Sequence, residues 1–118
     1  MKWFVIENTW LSREPLYEGH RGMDFGWGNG YVVIPPYHSQ YGVGYEEIPV
    51  DVHGGLTFCG DAEQLDWPDV EGLKGWVVGF DTAHLDDTLV RWPKEEVEAE
   101  TLRLRAQLVI MNKFKMLS

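Results

Sequence analysis

The sequence lacks most of the features that identify a function directly. Its single cysteine, Cys59, has no partner for an internal disulfide or for a zinc-binding cysteine pair. It contains no G-x-x-x-x-G-K-[ST], H-E-x-x-H or G-x-S-x-G motif, which argues against a P-loop nucleotidase, a zincin and a serine hydrolase of the nucleophile-elbow type. The glycines of residues 22–30 include a G-x-G but not the complete dinucleotide-binding pattern. These common classes are therefore not expected.

Long apolar runs are also missing. The first apolar run, residues 3–6, stops at Glu7, which is too short for a secretory signal. No later segment approaches the roughly 20 apolar residues that cross a bilayer. With no disulfide to form, nothing calls for an oxidising compartment. We therefore expect a soluble cytoplasmic protein without a membrane segment.

Basic residues are scarce, since 10 lysines and arginines face 19 aspartates and glutamates, for a net charge of −9. The imbalance lies in residues 46–87, where eleven carboxylates and one lysine, Lys74, leave a charge of −10. Direct binding of a nucleic-acid backbone is not expected on such a surface. The acidic stretch is either a solvated loop that aids solubility or a surface that docks on a basic host protein.

The chain nevertheless has the composition of one folded domain spanning residues 1–118. Hydrophobic residues make up 44% of it, six of them tryptophans. The pattern of short β-branched and aromatic runs predicts strands, and the run at 76–80, apolar on both faces, predicts a central one. The predicted strands cover residues 3–6, 31–34, 50–52, 56–59 and 76–80. The glycine-rich stretch 19–30 predicts a tight loop or hairpin.

A helix is predicted over residues 93–113. Val97, Leu104, Leu108 and Met111 recur at helical spacing, and a second apolar stripe adjoins them at positions 102, 106 and 109. Strands followed by one long helix indicate an α+β fold, a small antiparallel or mixed sheet covered by that helix. The second stripe predicts a homo-oligomer formed through the helix.

Two stretches hold the residues most suited to chemistry, VHGGLTF (52–58) and GFDTAHLDD (79–87). Asp81 and His84 follow the predicted central strand, at the point where functional groups commonly lie. His53 precedes Gly54 and Gly55, whose missing side chains allow close approach of a ligand or of another part of the backbone.

Four interpretations of these residues remain open. Three histidines, His38, His53 and His84, with nearby carboxylates could bind a divalent metal. A metal-free pair of His and Asp could act as acid and base. Alternatively the groups only fasten loops together, or form a ligand pocket with stacking surfaces from the aromatic residues Trp27, Tyr31, Tyr37, Tyr41 and Tyr45. Cys59 is better explained as a small buried residue than as a nucleophile.

The runs GYVVIPPYHSQYG (30–42), HGGLTF and GFDTAH together resemble a group of small uncharacterised proteins of bacteriophages and bacteria. Their pattern is approximately GYV-x-VP-x-x-HP-x-x-G, then HGG[IL]T[YF], then GFD-[CT]-AH-x-x-D. The resemblance covers roughly residues 30–110, with Ser39 in place of the usual proline and Leu85-Asp86 where a small residue and glycine are frequent. It marks as site residues His38, His53, Gly54, Gly55, Thr57, Asp81, His84 and either Asp86 or Asp87.

The resemblance implies a phage-type accessory protein that acts against host defence. The leading hypothesis is a small polar ligand, for which a nucleotide is one candidate, bound between the HGGLTF and GFDTAH loops with Tyr37 and Tyr41. An anionic ligand there would need compensation from the backbone N–H groups of Gly54 and Gly55 or from an arginine. The candidate arginines are Arg13, Arg21 and Arg91. The alternatives are a hydrolase that uses His53, Asp81 and His84, with or without a metal, and an acidic inhibitor that docks on a host protein.

Overall fold

A computed structural model describes residues 1–9 and 25–117, with side chains described as far as Met111. The described chain forms four strands, three single-turn 3₁₀ helices and one long α-helix. The strands are β1 (Trp3–Glu7), β2 (Gly28–Ile34), β3 (Phe58–Asp61) and β4 (Trp76–Phe80), and the helix is α1 (Lys94–Leu117). The 3₁₀ turns are Tyr45–Glu47, Ala62–Gln64 and Pro68–Val70. Part of the predicted glycine-rich loop, residues 19–24, lies outside the described residues, as do Arg13 and Arg21.

The strands form one sheet in the order β1-β2-β4-β3, with every neighbouring pair antiparallel. The predicted α+β class is confirmed, and β4 is an internal strand, because β2 and β3 flank it. The register of the sheet sets Ile34 opposite Trp76 and Gly30 opposite Phe80. The loop that follows Phe80 therefore leaves the sheet at the end where β2 begins.

β2 starts three residues earlier than predicted because two glycines extend it. A Cβ on Gly30 would lie 2.0 Å from Thr101 Oγ1 of α1, and a Cβ on Gly28 would lie 2.1 Å from the backbone oxygen of Ile6. Both positions bring other groups too close for any side chain. The glycines thus allow the helix and β1 to approach this part of the sheet.

The two faces of the sheet are covered by different parts of the chain. One face packs on α1 through a core in which Val32, Val78, Val97, Leu104 and Leu108 have no exposed surface. On the other face, side chains from the acidic stretch join a second cluster. Its members include Phe4, Tyr31, Val33, Ala62, Val70, Val77, Leu65 and Trp67. The acidic stretch is therefore also a covering layer.

The predicted strand at residues 50–52 is wrong, and the one at 56–59 is displaced to Phe58–Asp61. Gly54 and Gly55 adopt positive φ angles of 69° and 78°, a backbone turn that a strand cannot continue through. Val52 is instead a buried loop residue in the cluster beneath α1. The apolar character of residues 50–52 reflects burial without strand pairing.

Helix α1 begins at Lys94, directly after Pro93, whose carbonyl accepts hydrogen bonds from the N–H groups of Glu96 and Val97. In its first apolar stripe Val97, Leu104 and Leu108 are buried and Met111 is partly buried, whereas the second stripe is exposed, with Leu102 at 43% and Val109 at 38%. Within the described chain, α1 does not combine the length and the apolar character that crossing a bilayer requires.

Candidate functional site

The backbone brings the HGGLTF turn next to the end of β4. Gly55 N–H donates to the carbonyl of Val52 at 2.8 Å, which closes the turn, and Thr57 N–H donates to the carbonyl of Gly79 at 2.9 Å. The second bond continues the β3–β4 pairing by one step beyond Phe58. His53 and the residues after Phe80 therefore emerge at the same end of the sheet.

Asp87 is the centre of the site. Its Oδ1 lies 2.8 Å from His53 Nε2, and its Oδ2 lies 2.7 Å from His84 Nδ1 and 3.0 Å from the backbone N of His84. The N–H of Asp87 in turn donates to the carbonyl of His84 at 3.0 Å. Residues 84–87 thus form a tight turn that holds one carboxylate between two imidazole rings.

Asp81 supplies a second carboxylate to His84. Its Oδ1 lies 3.3 Å from His84 Nε2 and accepts the N–H of Ala83 at 3.2 Å. Each nitrogen of the His84 ring consequently faces a carboxylate oxygen, Nδ1 towards Asp87 and Nε2 towards Asp81. These surroundings suit a cation next to the ring.

Gly54 leaves room for the His84 ring. A Cβ at residue 54 would lie 2.4 Å from Cε1 and 2.5 Å from Nε2 of His84, so only glycine fits there. The rings of His53 and His84 meet edge to face, with centroids 5.1 Å apart and an interplanar angle of 86°. The HGG and GFDTAH motifs are therefore complementary in shape as well as in hydrogen bonding.

The helix side of the molecule fixes His53. Its backbone N–H donates to Glu100 Oε2 at 2.7 Å, and Glu100 Oε1 accepts from Arg103 Nε at 2.7 Å. The Trp92 ring packs against the His53 ring with centroids 4.1 Å apart. Trp92 and Glu100 were not among the predicted site residues. No spacing rule links a tryptophan before a helix, 39 positions after His53, or one glutamate among several, 47 positions after it, to that histidine.

The electrostatics of the site keep its buried carboxylate ionised. Burial by itself raises the pKa of Asp87, but hydrogen bonds from the His84 backbone, the His84 ring and the His53 ring outweigh it and lower that pKa below its usual value. A hydrogen bond from Arg103 lowers the pKa of Glu100, with burial opposing it and the His53 N–H adding to it. In the metal-free site an ionised Asp87 accepts, so His53 Nε2 and His84 Nδ1 carry the donated protons.

The same three side chains have the arrangement of a metal-binding group. One ligand atom from each of His53, His84 and Asp87 lies within 4.8 Å of the other two. The Asp87 side chain is 4% exposed, whereas those of His53 and His84 are 25% and 37% exposed. One side of the group is thus anchored in the protein and the other faces solvent.

His38 does not join this site. It is buried, its Nδ1 accepts the N–H of Gln40 at 2.9 Å, and its Nε2 donates to the carbonyl of Leu108 at 2.7 Å. Leu108 lies eight residues beyond Glu100 on α1, or about 12 Å along the helix axis. Both ring nitrogens are occupied, so His38 fastens the loop after β2 to the helix.

Tyr37 and Tyr41 also lie with the loop after β2 and away from the two histidines. Tyr37 is 73% exposed beside Pro35, and Tyr41 packs against Trp76, at the far end of β4 from Phe80. The predicted combination of these tyrosines with the HGGLTF and GFDTAH loops does not form, because the register of β2 and β4 sets them at opposite ends of the strands.

The remaining predicted residues lie on or next to the site loops. Gly55 and Thr57 are exposed, and a Cβ on Gly55 would have no atom of the described residues within 4 Å apart from its chain neighbours. Asp86 is exposed, so Asp87 and not Asp86 is the second aspartate of the motif that faces the histidines. Cys59 is half-buried in β3 against the helix-side core. Arg91 is exposed on the loop before α1.

Comparison with known proteins gives no relative: no family model, no curated protein and no solved structure matches this chain. The function is therefore argued from the geometry of the two-histidine centre, defined as His53, His84, Asp87 and Asp81.

Proposed function

We propose that this protein is a small metal-dependent hydrolase in which His53, His84 and Asp87 hold a divalent transition-metal ion. The observation that carries the proposal is the convergence of their three ligand atoms within 4.8 Å, from two loops 31 or more residues apart in sequence. Imidazole and carboxylate are ligands that suit zinc and its neighbours in the first transition row.

The positions of the protons support a metal in this place. A cation between the rings would replace the protons on His53 Nε2 and His84 Nδ1, the two nitrogens that point at Asp87. With the ion on Nδ1, the single proton of the neutral His84 ring would lie on Nε2, which is 3.3 Å from Asp81 Oδ1. A carboxylate that orients a ligating histidine in this way is the usual outer partner in protein metal sites.

Three protein ligands and a solvent-facing side are typical of a catalytic site, whereas structural zinc sites are closed by a fourth protein ligand. A divalent ion held this way supplies a water molecule acidic enough to act as a nucleophile near neutral pH. Gly55, two residues after His53, is exposed, so this part of the turn leaves room for a small polar substrate.

Metal analysis tests the binding step. Protein loaded with zinc or cobalt(II) and then desalted should retain about one ion per chain, and the cobalt form should show the visible absorption of a four-coordinate ion. His53→Gln and Asp87→Asn should each abolish retention, and Asp81→Asn should weaken binding by about 10- to 100-fold as an outer-partner change does. Asp86→Asn, at the exposed neighbour, is the control and should retain the ion.

Hydrolysis of a panel of activated esters, phosphomonoesters and phosphodiesters tests the catalytic step. Activity should require the metal, disappear with a chelator and return on adding zinc or manganese. Retention of metal by Asp87→Asn at the level of the unmodified protein would overturn the metal site. Metal binding without turnover of any panel member would overturn the hydrolase and leave a binding protein.

A further inference from the structure

A second candidate site lies at the other end of the sheet. A groove of about 460 Å³ opens between the start of β1, the end of β2, the loop before β4 and the middle of α1. Three cations, Lys2, Lys74 and Arg105, line it together with the ring of Tyr37 and aliphatic side chains. We name it the basic groove. Its volume is within the range of small-molecule sites, roughly 300–1,000 Å³.

The charge of this groove is opposite to that of the protein. Lys2, Lys74 and Arg105 line it and, within the described part of the chain, no carboxylate does, although the whole sequence carries −9. Among residues 1–9 and 25–111, none of the three cations has a carboxylate oxygen within 4.0 Å. A concave surface with three uncompensated cations on an acidic protein concentrates small anions locally.

Two of the cations are held in place by backbone carbonyls. Lys2 Nζ donates to the carbonyl of Asp69, and Arg105 Nε donates to the carbonyl of Met1 at 2.5 Å. The described hydrogen bonds of Arg105 use Nε only, so its two terminal nitrogens remain available as a donor pair. Such a pair matches two oxygens of one phosphate group.

The rest of the groove is apolar and carries one displayed aromatic ring. Val33, Leu73, Pro35 and Val109 provide the aliphatic walls, and the Tyr37 side chain beside them is 73% exposed. A large aromatic side chain left in solvent beside cations offers a stacking face for a planar ring.

From this combination we propose that the basic groove binds a small phosphorylated molecule that carries an aromatic ring, the chemistry of a nucleoside monophosphate. The phosphate lies against Arg105, Lys74 and Lys2, and the ring stacks on Tyr37. A nucleic-acid strand is a poorer fit, because three cations in one short groove neutralise few phosphates, and a protein with a net charge of −9 repels a continuing polyanion. The groove is independent of the two-histidine centre, since the register of β2 and β4 separates Pro35 from the loop after Phe80.

Calorimetric or NMR titration tests the proposal with the four nucleoside monophosphates, using adenosine, ribose 5-phosphate and inorganic phosphate as comparison ligands. At least one monophosphate should bind at least tenfold more tightly than each of the three fragments, and its affinity should fall as salt rises. The monophosphate should perturb the resonances of Tyr37 and Arg105, with no perturbation at His53 or His84.

Charge-reversal variants locate the binding. Lys74→Glu should lower the affinity for the monophosphate at least tenfold, whereas Lys94→Glu, the same change at the first turn of α1, should leave it unchanged. Tyr37→Ala should reduce monophosphate binding and leave ribose 5-phosphate binding as it was. Equal weakening by Lys74→Glu and Lys94→Glu would overturn the site. The proposal would also be overturned if ribose 5-phosphate or inorganic phosphate bound most tightly, or if no monophosphate bound at millimolar concentration. Circular dichroism of each variant establishes that it is folded.

Discussion

Asp87 differs from its neighbour Asp86 in burial, and that difference determines what each carboxylate can do. Asp87 is 3% exposed and accepts from two histidines and one backbone N–H, whereas Asp86 points to solvent one residue earlier. A buried carboxylate is stable as an anion only when several donors surround it, and here those donors lower its pKa. Two of those donors are histidine side chains, which can also bind a metal. The groups that compensate the buried charge of Asp87 are therefore the same groups that form the candidate site.

The contact between Gly54 and His84 gives a prediction at the scale of one methyl group. Gly54→Ala should displace the His84 ring, because its Cβ would lie 2.4 Å from Cε1. Gly55→Ala is a matched control, with a similar positive φ of 78° and no atom within 4 Å of the new Cβ. Both variants bear the strain of a left-handed alanine, of order 1 kcal/mol. Only Gly54→Ala should also lose at least tenfold in zinc affinity, measured by competition with a chromogenic chelator.

Equal zinc affinity in the two alanine variants would contradict the role given to this contact. The unfolding free energies from urea titration separate the effects, since both variants should show the backbone strain and Gly54→Ala should lose about 1–3 kcal/mol more through overpacking.

At the scale of elements, the strands and the helix with a strong local sequence pattern were predicted correctly. Strand β4 and helix α1 have strong periodicity and were predicted within a few residues, as was β1. The extent of β2 was underestimated, because Gly28 and Gly30 read as loop residues and are in fact required by the close approach of Ile6 and Thr101. The two motifs were expected to lie together, but the choice between Asp86 and Asp87 was left open. Trp92 and Glu100 reach the site only through the packing of α1 on the sheet, which a one-dimensional pattern does not contain.

Strand β2 yields a prediction about alkaline stability through Tyr31. Burial raises the pKa of this phenol above its ordinary value of 10.0, against the lowering effect of a hydrogen bond from Asn29. Because the unfolded chain then releases the proton at lower pH than the folded one, the stabilisation from neutral Tyr31 is complete below pH 10.0 and is lost as pH rises through the folded pKa. Tyr31→Phe removes this dependence and also the hydrogen bond, at a cost of about 1 kcal/mol at neutral pH.

Urea unfolding of the protein and of Tyr31→Phe between pH 7 and 11 measures the effect. The difference in unfolding free energy should favour the tyrosine at neutral pH and shrink above pH 10.0. Tyr37→Phe, at a ring that is 73% exposed, is the control for losing a hydroxyl from the surface. A difference between the protein and Tyr31→Phe that stays constant across this range would contradict the link between burial and titration.

Over the whole molecule, the sheet separates two kinds of chemistry. The end at Phe80 carries carboxylates and imidazoles suited to a cation, and the end at Ile34 carries three cations suited to an anion. The acidic stretch is more than a charged surface, because its Leu65, Trp67 and Val70 cover the second face of the sheet. Of the eleven carboxylates in residues 46–87, five lie in this covering layer, between residues 61 and 71, and three, Asp81, Asp86 and Asp87, lie at the Phe80 end. The net charge of −9 therefore says little about the Ile34 end, which presents cations.

The two-histidine centre ties together parts of the chain that no regular pairing joins, which leads to a prediction for the stability of the whole fold. A metal there would connect the turn before β3 with the loop after β4, and His53 is linked in turn to α1 through Glu100. A ligand that binds only the folded state stabilises it by about 2.7 kcal/mol at a free concentration 100 times its Kd. For a domain of this size, at about 4 °C per kcal/mol, the Tm should rise by roughly 10 °C.

Scanning calorimetry with buffered zinc should show this shift, its reversal by a chelator and its loss in Asp87→Asn. Magnesium, which prefers all-oxygen ligands, should have little effect. An equal zinc shift in Asp87→Asn would mean that the ion binds elsewhere on the acidic surface, and the two-histidine centre would then have no part in holding the fold together.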